Sequence, residues 1–239
     1  QMEEALRNAG GIKILIDHHP KPDHKEFNHI YHDTSASSTA ELVFSFLQLF
    51  NLGHLINRQV AESLYTGIIT DTGSLSFNCN KAETYHIIAD LVDRGVDSEL
   101  LHRLIYDNFS ERRMRLLGYA LYQKMEVIED YRTAIISLAL SELEHFQYQQ
   151  GDTEGVVNYP LSIKAINLSI LLTQRKDRIR LSFRSKGNFP ANEIASKYFE
   201  GGGHRNAAGG DSFVTMEETV KKIMEILPLY SEQLSFEVK

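Results

Sequence analysis

The sequence predicts an α/β domain built on a parallel sheet, followed by a smaller α+β domain. In the first half of the chain, short apolar runs alternate with segments of helical periodicity, which is typical of βαβ units. In the second half, two long apolar runs and one run of alternating basic and apolar residues predict strands, with helices after them. With 239 residues, the chain is long enough for two domains that each bury their own core.

The first predicted strand is the run Ile12–Ile16, which ends directly before Asp17, His18 and His19. Open α/β sheets bind their ligands at the carboxyl ends of parallel strands. A carboxylate beside two imidazoles at such an edge can hold a divalent metal, with one histidine as ligand and the aspartate orienting it. The sequence therefore predicts a metal site here, and the nearby His29 and His32 are close enough to the motif to line the cleft.

Four helices are predicted in the rest of the first half. They are Thr39–Phe50 with Ser37 or Ser38 as its cap, Val60–Ile69 capped by Asn57, Lys81–Arg94 ended by Gly95, and Ser98–Tyr106.

The helix Val60–Ile69 leads to Asp71, which is followed by a Thr-Gly turn. An isolated Asp-Thr-Gly is more often a simple turn, but together with the Asp17-His18-His19 motif it favours a ligand role. Imidazole and carboxylate suit Mn²⁺, with Mg²⁺ or Co²⁺ as alternatives. Phosphoesterases commonly hold two ions about 3.5–4 Å apart, and such a pair needs more ligands than His18 and Asp71 supply.

The helix Glu111–Lys124 is predicted to connect the domains. This gives a first domain over residues 1–107, a connector over 108–126 and a second domain over 127–239. The elements predicted after it are strands at Thr133–Leu140, Ser162–Leu172 and Arg178–Phe183, a helix Pro190–Phe199, a glycine loop, a strand at Phe213-Val214 and a helix Met216–Leu227.

The glycine loop is Gly201, Gly202, Gly203 and His204, and small residues follow it, so we expect it to open onto a short helix. Consecutive glycines let backbone N–H groups approach a phosphate, and a helix N-terminus favours an anion. His204 can donate to the same phosphate. Arg184, at the end of the basic strand, can clamp a phosphate through two hydrogen bonds.

The composition is that of an ordinary globular protein, and no apolar stretch is long enough to span a bilayer, so we expect no membrane partner. A net charge of −7 argues against a general nucleic-acid coat, but residues 175–205 carry eight basic residues against three acidic ones. Such a local basic face suits a small polyanion.

Cys79 is the single cysteine, which fits a reducing cytoplasm. Because the chain begins with Gln1, we interpret it as a protein whose beginning is not shown, which leaves a signal peptide open.

These motifs resemble the DHH phosphoesterase superfamily, in particular its oligoribonuclease and pAp-phosphatase branch. Asp17-His18-His19 matches the motif that names the family, and Asp71 its next aspartate motif. Residues 153–158, 179–186, 192–195 and the glycine loop match the DHH-associated substrate-binding domain. The resemblance implies that His18 and Asp71 bind metal, that Asp17 orients the ligands, and that His19 contacts the phosphate or lies beside the metals. It also implies that Arg184 and Gly201–His204 hold the nucleotide.

The resemblance further implies a first-strand His-x-x-Pro-Asp-x-Asp motif and a later aspartate, which together supply most of the metal ligands. Nothing before Gly11 matches either of them. We expect these groups to exist in the intact protein, completing a two-ion site in a cleft between the domains.

The function expected from this resemblance is Mn²⁺-dependent hydrolysis of short RNA or DNA oligonucleotides to mononucleotides, and of pAp to AMP, by a cytoplasmic enzyme. A homodimer is left open. Exopolyphosphatase and cyclic-dinucleotide phosphodiesterase activities remain alternatives, because each presents phosphates to the same metals. A non-catalytic nucleotide-binding module is the alternative from another class.

Overall fold

The computed structural model describes residues 2–20, 22 and 24–236. The chain divides into two units, Gln1–Asn108 and Phe109–Lys239. None of the helices in the described part of the chain is long and apolar enough to cross a bilayer.

The first unit contains two short strands and five helices among its described residues. They are α1 Met2–Asn8, β1 Ile14–Asp17, β2 His29–His32, α2 Thr39–Leu49, α3 Arg58–Asp71, α4 Ala82–Asp93 and α5 Ser98–Tyr106. The strands pair in parallel, with Asp17 opposite His32. The parallel pairing predicted from the apolar run is therefore present, and both carboxyl ends lie at the same edge.

Helices α2 to α5 are the four predicted helices, and α2 and α3 begin at the predicted caps. Ser38 caps α2 by accepting a hydrogen bond from the Glu41 N–H, and Asn57 caps α3 in the same way from Val60. The apolar faces of these helices meet in one core that includes Phe44, Leu64, Ile68 and Leu91. This core holds the end of α3 against the start of α2, which is where the candidate metal ligands lie.

The second unit is built on one six-stranded sheet. Its described elements are α6 Glu111–Gln123, β3 Met125–Ile128, β4 Thr133–Leu138, α7 Leu140–His145, β5 Leu168–Gln174, β6 Ile179–Ser185, α8 Ala191–Tyr198, β7 Gly202–His204, β8 Ala207–Ser212, α9 Met216–Ile226 and α10 Ser231–Leu234. The spatial order is β3-β4-β5-β6-β8-β7, and every neighbouring pair is antiparallel except the parallel pair β4 and β5. Helix α6, predicted as the connector, lies in this unit.

The sheet of the second unit has two different faces. Strand β6 alternates in burial along its length, as its alternating basic and apolar residues predict. Leu181 and Phe183 are fully buried on one face, in a core that also includes residues of α8 and α9. On the other face, Leu171 of β5 packs with Leu116 of α6 and with Val156, while Ser182 and Arg184 of β6 are only half-buried. The β6 end of this second face is thus left partly open.

Two predicted strands are wrong, one in its extent and one altogether, and β4 ends at Leu138 instead of Leu140. The run Ser162–Leu172 is strand only from Leu168, because a 3₁₀ segment containing Pro160 continues to Ser162 and turns follow it. Phe213-Val214 is not a strand: β8 ends at Ser212, and both side chains are exposed. Strand β3 and helix α7 were not predicted, since their short sequences lack a clear period.

Candidate functional site

His18 lies just beyond the end of β1 and is almost completely buried, with 2% of its surface exposed. Its Nε2 is 3.1 Å from Oδ2 of Asp71. Its Nδ1 is 3.3 Å from the carbonyl oxygen of Ala36. A carbonyl can only accept, so Nδ1 is the donor in this bond, and Nε2 is the ring nitrogen that faces the Asp71 carboxylate.

Asp71 is the last residue of α3, two residues beyond the predicted end of this helix. Thr72 ends the helix, and Gly73 then takes a positive φ of 54° that turns the chain away. The Asp71 side chain is 43% exposed. It borders a cavity of about 300 Å³, whose other lining residues are Thr39, Ala40, Gly67 and Thr70. The carboxylate is thus open to a ligand on one side while it faces His18 on the other.

The close approach of α2 and α3 beside this cavity requires Gly67. A Cβ at Gly67 would lie 2.7 Å from the Cβ of Ala40, so a larger residue would push the start of α2 away from the end of α3. Gly67 therefore sets the spacing of the two helices at the candidate site.

Asp17 is the last residue of β1, and its side chain is 20% exposed. Its Oδ1 accepts hydrogen bonds from the His19 backbone N–H at 3.1 Å and from His19 Nδ1 at 2.7 Å. Burial, the largest single contribution, raises the pKa of Asp17, but the hydrogen bonds and charge of His19 and the His18 N–H lower it more, so the pKa lies below its usual value. Asp17 therefore stays a carboxylate that orients His19.

His32 also belongs to this edge of the sheet. It stands opposite Asp17 in the strand register, and its Nε2 donates to the carbonyl of His19 at 2.8 Å. The short sequence distance from the Asp17-His18-His19 motif pointed to His32 and equally to His29, but His29 stands opposite Ile14 at the other end of the strand pair. The carbonyl of Ala36, by contrast, is a functional group that sequence patterns did not indicate, because it is a backbone atom in a loop.

A divalent metal fits His18 and Asp71. Two ligand atoms that bind one ion at right angles, each about 2.1 Å away, are about 3.0 Å apart, and the observed separation is 3.1 Å. Because Nδ1 bonds to the Ala36 carbonyl, Nε2 is the ring nitrogen of His18 that is placed to bind a metal. Two ions would need several more anionic oxygens than these side chains supply.

In the second unit, Arg184 and His204 face the same side of the sheet. Both stand directly opposite Ala207 of β8, Arg184 from β6 and His204 from β7. Residues opposite one another in adjacent strands share a face. Burial lowers the pKa of the Arg184 guanidinium, which donates to the Phe183 carbonyl at 2.9 Å.

The segment Gly201–His204 is not a loop that opens onto a helix, as the sequence predicted. Gly202–His204 is strand β7, which forms a hairpin with β8. A Cβ at Gly201 would lie 2.0 Å from the Gly209 carbonyl oxygen, so this glycine is required by close packing of the backbone. Since no helix begins here, the helix-dipole argument for phosphate binding is wrong, although the exposed N–H groups of an edge strand remain.

The basic stretch over residues 175–205 is not an open positive face. Arg178 and Arg180 both contact the carboxylate of Asp211, at 3.3 and 3.1 Å. Arg175 lies over the ring of Tyr148 and donates to its hydroxyl at 2.8 Å. Several of these arginines are therefore already paired with acidic or aromatic neighbours. The alternation of residues along one strand does not reveal such partners.

Comparison with known proteins places these two units in a family. Residues 1–68 match the model of the DHH family N-terminal domain, and residues 133–229 match that of the DHHA1 domain. A crystal structure of an exopolyphosphatase-related protein from Bacteroides fragilis is 41% identical, with a TM-score of 0.92, over 98% of this chain and 68% of that one.

Two curated relatives have more specific names. A protein of Streptococcus mutans named probable bifunctional oligoribonuclease and PAP phosphatase is 31% identical over 87% of this chain and 65% of its own length. A cyclic-di-AMP phosphodiesterase of Bacillus subtilis is 29% identical over 97% of this chain and 34% of its own length. The chain thus spans about two thirds of the first relative and about a third of the second. From the two family models and the B. fragilis structure, the chain belongs to the DHH family and carries a DHHA1 domain in its second unit.

Proposed function

We propose that the protein is a Mn²⁺-dependent phosphoesterase that hydrolyses short oligonucleotides to mononucleotides and pAp to AMP. The observation that carries this proposal is the pair formed by His18 Nε2 and Asp71 Oδ2 at 3.1 Å. The choice of substrate is supported by a relative that is named for oligoribonuclease and PAP phosphatase activity and that aligns with 87% of this chain. The carboxylate of Asp71 is a ligand type that suits Mn²⁺, and the imidazole of His18 can bind the same ion.

In the proposed reaction, His18 and Asp71 hold the metal and Asp17 keeps His19 in place. A divalent cation bound there supplies positive charge that activates water and stabilises the phosphoryl oxygens. His19 is 57% exposed beside the buried His18, so it is placed to donate to a phosphate oxygen. The Asp17 carboxylate would stabilise the positive charge on His19 when this ring is protonated.

The second unit would bind the substrate through Arg184, His204 and Gly201–Gly203. Arg184 is partly desolvated, which strengthens its hydrogen bonds to an anion. Gly202 faces the open side beside His204, and a Cβ there would meet nothing within 4 Å, so the backbone of β7 is accessible to a ligand. Substrates with only a few phosphates suit a surface on which the other arginines are already paired.

Cyclic-dinucleotide phosphodiesterase and exopolyphosphatase activities are the second candidates. A relative named cyclic-di-AMP phosphodiesterase and a protein described as exopolyphosphatase-related each match nearly the whole chain. A non-catalytic nucleotide-binding module is a weaker alternative, since it has no need of the His18–Asp71 pair.

One substrate panel tests these proposals. The protein as the cell makes it is incubated with di- to pentanucleotide RNA, pAp, polyphosphate and cyclic di-AMP, with Mn²⁺ or with a chelator. We expect mononucleotides from short RNA and AMP from pAp, both only with metal. Polyphosphate as the sole substrate would contradict the proposal, and binding without turnover of any substrate would favour the non-catalytic module.

A further inference from the structure

The second unit contains a cavity of about 430 Å³ that the proposed function does not use. Its lining residues come from the first turn of α6, from α7 and the residues that follow this helix, and from the position directly after β5. Two of them are arginines, Arg112 of α6 and Arg175 beyond β5. Sites for small molecules commonly have this volume and combine apolar walls with a few placed polar groups. The cavity is therefore large enough for a small ligand, and its arginines indicate an anionic one.

Arg112 is the second residue of α6, where the helix dipole disfavours a cation. Its Nε is buried and has no hydrogen-bond partner in the described part of the chain. The Asp152 carboxylate lies 3.8 Å from this nitrogen, close enough to attract it but beyond hydrogen-bond distance. A buried donor without an acceptor costs free energy, and the cost is larger for a charged group. Arg112 thus lacks an acceptor that a bound anion would provide.

Arg175 is held in place by a neutral partner. Its guanidinium lies over the Tyr148 ring, with the central carbon 4.7 Å from the ring centroid, and Nη2 donates to the Tyr148 hydroxyl at 2.8 Å. A guanidinium has five N–H donors, and a phenol carries no formal charge to offset it. Arg178 and Arg180, by contrast, are paired with a carboxylate. Arg175 is therefore oriented in the cavity wall with its charge still available to a ligand.

The other walls favour an anion that also has an apolar part and hydrogen-bond donors. Leu140 and Leu143 supply apolar surface, and the carboxylate of Glu144 lines the same cavity. A carboxylate repels a bare anion such as inorganic phosphate, but it accepts hydrogen bonds from amino and hydroxyl groups. A nucleotide has all three parts. Its phosphate suits the planar guanidinium groups, its base suits the leucines, and its amino and hydroxyl groups suit Glu144.

This cavity lies away from the surface that Arg184 shares with His204. Ser169 of β5 stands directly opposite Arg184, and Arg175 follows Ser169 six residues later. At about 3.3 Å per residue, β5 separates these two positions by about 20 Å. A phosphate bound by Arg112 and Arg175 is therefore a different group from a phosphate bound at Arg184.

We propose that this cavity is a second nucleotide site, in which Arg112 and Arg175 bind the phosphate of a nucleoside monophosphate. The nucleotide is either free or the far end of an oligonucleotide that is bound at Arg184. The chemistry of recognition is the same in both cases. The oligonucleotide source rests on the proposed function, whereas binding of a nucleotide in the cavity does not.

Calorimetry with AMP tests the site in the Arg184→Ala variant of the protein as the cell makes it, without metal, because this variant lacks the other phosphate-binding arginine. We expect saturable binding of AMP. Adding Arg112→Gln or Arg175→Gln should raise the Kd roughly 10- to 100-fold, as for the loss of hydrogen bonds to a charged group. Arg115→Gln is the matched control, because Arg115 is on the same helix and is paired with the exposed Glu111. This control should leave the Kd unchanged.

Three results of this titration overturn the proposal. They are the absence of AMP binding once Arg184 is replaced, a Kd that neither Arg112→Gln nor Arg175→Gln changes, and an equal loss in Arg115→Gln. The last result would show a general effect of charge. Circular dichroism establishes that each variant is folded, and two independent arginines keep the test decisive where one variant fails to fold.

Inorganic phosphate is the second probe, and it tests the identity of the ligand. We expect it to bind more weakly than AMP, because it lacks the base and the sugar and is repelled by Glu144. Glu144→Gln should narrow this difference, since the change removes the repulsion and keeps the size of the side chain. A difference that stays the same in Glu144→Gln would contradict the assignment of the cavity to a nucleotide.

Turnover of RNA of two lengths identifies the source of the nucleotide. If the cavity holds the far end of the substrate, Arg112→Gln should raise KM for pentanucleotide RNA and not for dinucleotide RNA. An unchanged KM for both lengths, together with the loss of AMP binding, assigns the cavity to a free nucleotide. If no RNA is turned over by the wild type, the proposed function fails, while the second nucleotide site still stands or falls on the calorimetry.

Discussion

Arg184 and His204 are neighbours of the same residue, since each stands opposite Ala207 in the strand register and all three side chains share one face of the sheet. A cation and an imidazole on either side of a small residue leave room for a phosphate between them. The open end of this face is where we propose that the second unit binds the substrate.

Replacing either residue should weaken nucleotide binding. We expect Arg184→Ala to raise the Kd for pAp roughly 10- to 100-fold, the effect of losing hydrogen bonds to a charged group, and His204→Ala to raise it less. Titration of the 239-residue chain without metal measures this. Arg178→Ala is the matched control, because Arg178 is already paired with Asp177 and Asp211. Equal losses in all three variants would indicate a nonspecific charge effect.

Asp71→Asn should remove metal binding without disturbing nucleotide binding. The change takes away the anionic oxygen that faces His18, so we expect Mn²⁺ affinity to fall at least roughly 10- to 100-fold and turnover to disappear in the protein as the cell makes it. Calorimetry and the substrate panel check the two effects. Asp93, the last residue of α4 as Asp71 is of α3, supplies the control Asp93→Asn. Turnover that survives Asp71→Asn would show that the ligand is another residue.

The 239-residue chain by itself should bind Mn²⁺ weakly and hydrolyse short RNA slowly or not at all. One imidazole and one carboxylate cannot offset the charge of two dications. Calorimetry with Mn²⁺ and the RNA assay measure both properties. Robust metal-dependent hydrolysis by this chain would mean that the ligands have been assigned wrongly.

The two neighbouring glycines Gly201 and Gly202 should respond in opposite ways to alanine. At Gly201 the new Cβ would lie 2.0 Å from a carbonyl oxygen, so unfolding should need roughly 3 kcal/mol less free energy, or the domain should fail to fold. At Gly202 the Cβ meets nothing within 4 Å, so stability should change by less than about 1 kcal/mol. Denaturant unfolding distinguishes them. Loss of pAp binding in a fully stable Gly202→Ala would support β7 as part of the phosphate site.

Glu142 should make the stability of the second unit depend on pH. Burial is the largest single contribution and raises the pKa of Glu142. The hydrogen bonds from the Tyr119 hydroxyl, the Ala139 N–H and Lys124 together lower it by more than burial raises it, so the pKa of Glu142 lies below its usual value. A depressed carboxylate pKa stabilises the fold above the pKa of the unfolded chain, and this stability is lost as pH falls through the folded value. Glu142→Gln should therefore lower the free energy of unfolding by roughly 1–3 kcal/mol at pH 7 and by much less near pH 3. A constant difference at both pH values would contradict this explanation.

The first unit was largely predictable because its signals are local. A cap such as Ser38, or the apolar run before Asp17, acts on residues within one or two turns. The structure has the cap as predicted, and it has the strand with a start at Ile14 and an end at Asp17 instead of Ile12 and Ile16. The glycine segment could not be assigned in this way. Gly201 is required by a backbone that approaches from β8, a contact across the sheet that looks the same in sequence as a flexible turn.

The same limit applies to charge. Alternation along β6 predicted its buried and exposed faces, and both are present. It did not predict that Arg180 would meet Asp211, since that partner lies 31 residues away and is brought opposite by the sheet register. Likewise, the carbonyl of Ala36 has no sequence signature, although it orients the central histidine.

The parallel pairing of β4 with β5 has a consequence for how this protein can diversify. Two neighbouring parallel strands require the chain to return over one side of the sheet, and residues 139–167 make that return. The returning segment packs against β4 and β5 on the face that carries Arg184, and its 3₁₀ portion Val156–Ser162 also contacts β6. Insertions or deletions in this one stretch would lengthen or shorten the wall beside Arg184 while His18 and Asp71 stay untouched. With the roles proposed above for Arg184, His18 and Asp71, changes in the size of the accepted substrate would arise separately from changes in the chemistry.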